Sequence, residues 1–274
     1  MKKFTVLQSV YKNDKPEFLD ECLSSIFNST VLPQKIVLVK DGKISVELES
    51  IITKWQSKLP LYVAGYDENK GLAHALNYGL QFVETELVAR MDSDDLCDRD
   101  RFKEQLSCFE CHADVDILGC GLNEFYIDSV GNKKCKIRMY PELVNKTSKC
   151  LFKGTPLGHP AVMMKTEILR SFKYREDTSM NEDIDLWFRL LKSDYEIHNI
   201  QKPLLNFRIT DGTFRRRSIK KAFNEFRIYW INLKNFFGCS MLLVYPLCRL
   251  FIRFLPYRFS RFLYFSNFRK KLFS

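Results

Sequence analysis

The stretch Asp92-Ser93-Asp94-Asp95 places three carboxylates within four residues. Neighbouring carboxylates repel one another unless a cation or hydrogen-bond donors compensate them. A divalent cation is the simplest compensation. Hard oxygen ligands select Mg²⁺ or Mn²⁺, which keep a few protein ligands and fill their other positions with water and phosphate oxygens. Such a site suits a nucleoside diphosphate. An acidic run also occurs at helix N-termini, where Asp94 or Asp95 would serve as a cap, so the surroundings must decide. A second acidic set, Glu182-Asp183 with Asp185, likewise has two uses. Adjacent carboxylates raise one another's proton affinity, as a general base needs. Alternatively they form an acidic first helical turn, a use that suits Asp185 better than Asp183.

The elements around these residues follow from hydrophobic periodicity. Over the first hundred residues, short β-rich apolar runs alternate with longer helical patterns, as in a parallel sheet with crossover helices. Strands are predicted at 4–10, 35–40, 61–64 and 87–91, and helices at 16–28, 45–58 and 72–83. Pro16 suits a first helical turn, and Leu19, Leu23, Ile26 and Phe27 mark one apolar face. Three βα units in a row predict an α/β, doubly wound, mostly parallel sheet with helices on both faces. In such sheets ligands collect at the carboxyl ends of the strands. The residues there are Ser9-Val10-Tyr11, Asp41-Gly42, the run from Tyr66 to Gly71, and the Asp92–Asp95 cluster. Beyond the cluster the pattern loosens: helices at 98–110, 166–172 and 182–193, strands at 116–123 and 204–209, and a turn at Gly131-Asn132.

Five segments in register resemble inverting glycosyltransferases of family 2, which have the GT-A fold. They are Gln8 to Asp14, Val37-Leu-Val-Lys-Asp-Gly42, Asn69-Lys70-Gly71 to Asn77, Ala89-Arg-Met-Asp-Ser-Asp-Asp95, and Asn181-Glu-Asp-Ile-Asp-Leu-Trp187. The likeness spans about residues 3–210 and is nearest to bacterial enzymes that assemble O-antigen, capsule and exopolysaccharide repeat units. It implies that Ser9, Tyr11, Asp41, Lys70 and Asp92 hold the donor nucleotide. It implies that Asp94 ligates the metal together with Asp92, and that Asp183 is the catalytic base. Asp95, Glu182, His159 and Arg215 are further candidates: Asp95 as a ligand, His159 of the Gly158-His159-Pro160 element in the acceptor site, and Arg215 on a diphosphate. His159 equally fits a structural role, satisfying a loop carbonyl. One departure stands out. Relatives carry an Arg-x-His after the last strand, whose His completes the metal site, whereas this chain has Arg208-Ile209-Thr210. The Gln-x-x-Arg-Trp motif of processive synthases is also missing, which favours transfer of a single sugar.

The formal net charge of +10 is unevenly distributed. Residues 212–274 carry 14 Lys/Arg and one acid, Glu225, against 29 bases and 32 acids before them. The expected organisation is therefore a GT-A domain over 1–211, with a nucleotide-binding half (1–95) and an acceptor half (96–211), followed by a basic, aromatic, amphipathic helical segment over 212–274. The apolar run at 237–247 is shorter than the ~20 residues needed to span a bilayer, so the segment reads as interfacial, its alternative being a helix packed on the domain. Nine irregularly spaced cysteines and no secretory signal at Met1-Lys2-Lys3 favour a reduced, cytoplasmic compartment. A nucleic-acid partner would explain the tail but neither acidic cluster. A nucleotidyltransferase would need a Gly-rich loop after the first strand, where residues 9–14 have no glycine. A non-catalytic membrane-associated assembly protein is the remaining alternative. Together these readings imply a metal-dependent (Mn²⁺ or Mg²⁺) transferase on the inner face of a bacterial inner membrane. It would use a nucleotide-sugar donor, an undecaprenyl-diphosphate-linked saccharide acceptor and an anionic membrane surface.

Overall fold

The structure, a computed structural model, describes residues 2–127, 131–148, 151, 154–178, 181–210 and 219–254. Its first half alternates β1 (Phe4–Val10), α1 (Pro16–Phe27), β2 (Lys35–Asp41), α2 (Val46–Gln56), β3 (Leu61–Tyr66), α3 (Leu72–Leu80) and β4 (Leu87–Arg90). These four strands are parallel in the order β3-β2-β1-β4, with β1 pairing both β2 and β4. Because a strand turns successive side chains to opposite faces, each strand feeds two cores. Ile36 and Leu38 join one core with Leu19, Leu23 and Trp55 of α1 and α2. Val37 and Val39 join the other with Ala75, Leu76 and Leu80 of α3. Burial on both faces explains why these strands read as continuous apolar runs.

The second half contains β5 (Leu96–Cys97), α4 (Arg101–Cys111), β6 (Ile117–Ile127), β7 (Lys133–Arg138), β8 (Leu143–Val144), β9 (Met163–Lys165), α5 (Thr166–Phe172), α6 (Glu182–Lys192) and β10 (Ile197–Arg208). β9 lies antiparallel between β4 and β6 and joins the two halves into one sheet. β10 runs parallel to β6 and antiparallel to β5. It begins at Ile197, well before the predicted 204, because His198, Asn199, Gln201 and Lys202 hide a strand pattern and Pro203 offers no ladder donor. The register shifts on either side of Pro203 mark the same defect.

After Arg208 the described chain resumes with α7 (Ile219–Phe237) and ends with α8 (Val244–Phe254). The basic segment is helical here, but it is not detached from the domain. Tyr229 and Leu233 are buried in the same core as Leu186, Trp187 and Leu190 of α6, and the Tyr229 ring meets Phe188 edge-on at 5.4 Å. No helix among the described residues is long and apolar enough to cross a membrane.

Candidate active site

The carboxyl ends of β1, β2, β3 and β4 lie along one edge of the sheet, as parallel pairing requires, and β4 delivers its last residues into the acidic cluster. Asp92, Asp94 and Asp95 each offer a carboxylate oxygen within 4.8 Å of the others. Asp92, partly exposed, pairs with Arg90 Nη1 at 2.5 Å. Asp95 is fully buried; its Oδ1 accepts the backbone N–H of Arg208 at 2.8 Å, and its Oδ2 has no hydrogen-bond partner. Burial, reinforced by Asp94 and Asp92, pushes the Asp95 carboxyl well above the ordinary carboxylate range. A buried oxygen without a donor, facing two like charges, is the environment that a divalent cation relieves. The all-oxygen donor set fits Mg²⁺ or Mn²⁺.

Arg208, the last residue of β10, holds the cluster from behind. Besides the Asp95 contact, its Nε donates to the Asp94 carbonyl at 2.8 Å, and its guanidinium, ion-paired to Glu21, lies 4.1 Å from the Phe18 ring centroid. Across the cluster, Asp14 Oδ2 accepts from Ser93 Oγ (2.9 Å) and from the Tyr11 backbone N–H (3.2 Å), tying the loop after β1 to the acidic turn. Ser9 and Tyr11 lie at this end of β1, both partly buried.

Asp41 ends β2 and is the keystone of the neighbouring loop. Its carboxylate accepts from Tyr66 Oη (2.9 Å), Asn69 Nδ2 (2.9 Å) and the backbone N–H groups of Lys70 (2.7 Å) and Gly71 (3.0 Å). Two glycines make this possible. Gly71 takes φ 91° to open α3, and at Gly42 (φ 83°) a Cβ would stand 2.7 Å from the Asn69 backbone nitrogen. The Asp41 oxygens are thus engaged within the chain, and they shape the Asn69-Lys70-Gly71 loop. The Lys70 ammonium lies over the Tyr66 ring at 5.6 Å.

On the other side of the cluster, α6 opens with Glu182 and Asp183. Burial and then the Asp183 charge push the Glu182 carboxyl up to about 7. Burial also raises Asp183, against the lowering influence of its own helix N-terminus and of Lys221. Asp183 keeps part of its surface open, whereas Asp185 is buried and bound by Arg189 Nε at 2.7 Å. Asp185 thus has the structural role and Asp183 remains accessible. Asn181 fixes this corner to α7, its Nδ2 donating to the Lys221 carbonyl at 3.1 Å.

His159 is buried, with Nε2 3.0 Å from Tyr174 Oη and its ring 6.0 Å from Trp187. Burial, with the Arg90 charge nearby, holds it neutral, its pKa well below the ordinary histidine value. Arg90 is thus common to both sides: it pairs with Asp92 and its field reaches His159 and Glu182. Arg90, Tyr66 and Asp14 lie within segments noted above without a role of their own, because their partners sit on other elements. Arg215 lies outside the described residues.

Residues 9–223 match the family described as Glycosyl transferase family 2. The chain is 34% identical over 265 residues to the UDP-Gal:alpha-D-GlcNAc-diphosphoundecaprenol beta-1,3-galactosyltransferase of Escherichia coli, covering 96% of this chain and 95% of that one. It is 33% identical to the amylovoran biosynthesis glycosyltransferase AmsE of Erwinia amylovora, covering 95% and 97%. Among solved structures, S. aureus TarS 1-349 in complex with UDP-GlcNAc superposes with a TM-score of 0.67 at 18% identity, covering 97% of this chain and 74% of that one. The mannosyltransferase PcManGT from Pyrobaculum calidifontis, with GDP-Man and Mn2+, gives 0.65 at 16% identity, covering 99% and 83%. At those identities the structures speak for the fold, which is GT-A. The family match over most of the chain and the full-length relatives lead to one conclusion: the chain belongs to glycosyl transferase family 2 and is a glycosyltransferase.

Proposed function

We propose that the chain moves one sugar from a nucleotide-sugar donor, a UDP-sugar, to a lipid-diphosphate-linked saccharide during assembly of a bacterial surface polysaccharide. The observation that carries this reading is the pairing of two acidic sites across Arg90. One side is the Asp92–Asp95 cluster beside the Asp41-keyed loop, and the other is the accessible Asp183 at the start of α6. The E. coli relative named for a diphosphoundecaprenol acceptor supports the choice of acceptor class.

In this mechanism the loop keyed by Asp41 and the end of β1 hold the nucleoside, with Ser9, Tyr11 and Lys70 at its edge. Asp94 and Asp92, with Asp95 behind them, would hold Mn²⁺ or Mg²⁺, which supplies charge stabilisation for a departing diphosphate. Asp183 accepts the proton of the acceptor hydroxyl as its oxygen bonds to the anomeric carbon. The bond from that carbon to the diphosphate oxygen breaks, and its electron pair leaves with the nucleoside diphosphate. Attack from the face opposite the leaving group inverts the anomeric configuration. Work on a lipid-linked acceptor implies a peripheral station on the inner face of the cytoplasmic membrane.

The test is a panel of nucleotide sugars offered with Mn²⁺ or Mg²⁺ and a GlcNAc-diphosphate-lipid acceptor. Transfer from one UDP-sugar, abolished by chelation, is expected. No transfer from any donor, or near-full transfer by Asp183→Asn, overturns the proposal.

A further inference from the structure

The last helix of the described chain, α8, has the opposite polarity from a surface helix in water, which turns its apolar stripe to the core and its charges to solvent. In α8 Arg249 points inward. Arg249 Nε donates to the buried Glu225 Oε1 at 2.7 Å and Nη1 donates to Tyr245 Oη at 2.8 Å, with the guanidinium 5.5 Å from the Tyr229 ring centroid. The outward stripe is Val244, Leu247, Cys248 and Phe251, at helical spacing and without a charge; Phe251 is 69% exposed. α7 contributes exposed Ile219, Phe223 and Ile231. The Phe223 ring lies 6.0 Å from that of Phe254, so exposed apolar side chains of the two helices meet there. Exposed Lys220, Arg227 and Lys234 run along α7. Glu225 is the last acidic residue of the sequence, and it is buried.

We infer that this face is seated in the headgroup boundary of an anionic bilayer. Leu247 and Phe251 of α8 reach among the acyl chains, and Lys220, Arg227 and Lys234 meet lipid phosphates. A surface that combines large apolar side chains with cations alone matches an anionic interface. α8 is only about 16 Å long by its residue count, suited to lying in the plane rather than crossing it. A second copy is a poor occupant, because twofold pairing through this face would set the same cations against each other. The inference rests on the proposed lipid-linked acceptor and extends it: α7 begins at the Asn181 contact beside Asp183, so the seat brings the catalytic carboxylate to the surface where such an acceptor is anchored.

The experiment is flotation of the full chain with phosphatidylglycerol-containing and pure phosphatidylcholine vesicles at low and high salt. Wild type should float with the anionic vesicles, less with neutral ones and less in high salt. The Leu247→Asp/Phe251→Asp double variant should bind roughly a hundredfold more weakly, since burial of each large side chain corresponds to on the order of tenfold in affinity, with thermal melting and nucleotide-sugar binding unchanged. Lys220→Gln/Arg227→Gln/Lys234→Gln should lose the preference for anionic vesicles. Wild-type binding by the double variant overturns the inference, as does a double variant that only changes from dimer to monomer. Asp183→Asn should float like wild type. Vesicle binding without sugar transfer from any donor would defeat the proposed function and leave the seat standing.

Discussion

Two pairs of carboxylates, Asp41 with Asp14 and Glu182 with Asp183, are treated in opposite ways. Asp41 accepts from Tyr66, Asn69 and the backbone N–H groups of Lys70 and Gly71, and Asp14 accepts from Ser93 Oγ and the Tyr11 backbone N–H. At the start of α6, Glu182 is buried and Asp183 partly so, and desolvation raises the proton affinity of both. Carboxylates held by several donors shape a loop, whereas desolvated ones are suited to take a proton. Under the proposed function, this difference suits the first pair to shaping the donor site and the second to proton transfer.

The strongest way to break this division is Asp183→Asn. Sugar transfer should fall by about 10²–10⁴-fold, the range typical of a lost general base, while nucleotide-sugar affinity by calorimetry stays unchanged. A parallel loss of donor affinity would merge the roles of the two pairs. Next in size is Asp94→Ala, which should remove the increase in melting temperature that Mn²⁺ gives wild type, an increase that ligand binding to the folded state requires. An unchanged increment would move the metal elsewhere. Asp41→Ala strands Tyr66 Oη, Asn69 Nδ2 and two backbone N–H groups. A stability loss of about 1–3 kcal/mol and a raised KM for the donor are expected, with kcat less affected. The smallest effect is in pH dependence. Glu182 titrates at about 7 in the folded chain against the usual 4.5. Between those values the folded state holds a proton that the unfolded state has lost, so this group's contribution falls as pH rises from 4.5 towards 7. Glu182→Gln should flatten that part of the metal-free stability profile, read by denaturant titration at several pH values.

Much of this arrangement was legible in the sequence because it is local. The strand ends after β1, β2 and β4 fell where apolar runs stopped, and the acidic residues followed them directly, so Asp92–Asp95 and Glu182-Asp183 could be found without a fold. What escaped is contact across the chain. Asp41 reads as a turn residue with Gly42, and only the sheet brings Tyr66, Asn69 and Lys70 to its oxygens. Arg208 read as the remnant of a motif lacking its histidine; its backbone N–H supports Asp95 because β10 happens to end beside β5. The basic composition of the tail likewise masked Tyr229 and Leu233, one helical turn apart, which anchor α7 to α6.

Cys22 of α1 lies beneath the acidic cluster, fully buried, with its thiol directed at the Asp92 carbonyl at 3.3 Å and receiving a contact from Gln8 Nε2 at 3.5 Å. Burial pushes this thiol far above the ordinary cysteine range, so it is neither reachable nor reactive while the floor of the site is closed. Its rate of alkylation is therefore a clock for local opening. A bound donor and cation that hold Asp92 in place should slow that clock, giving the site an internal chemical reporter of its own occupancy.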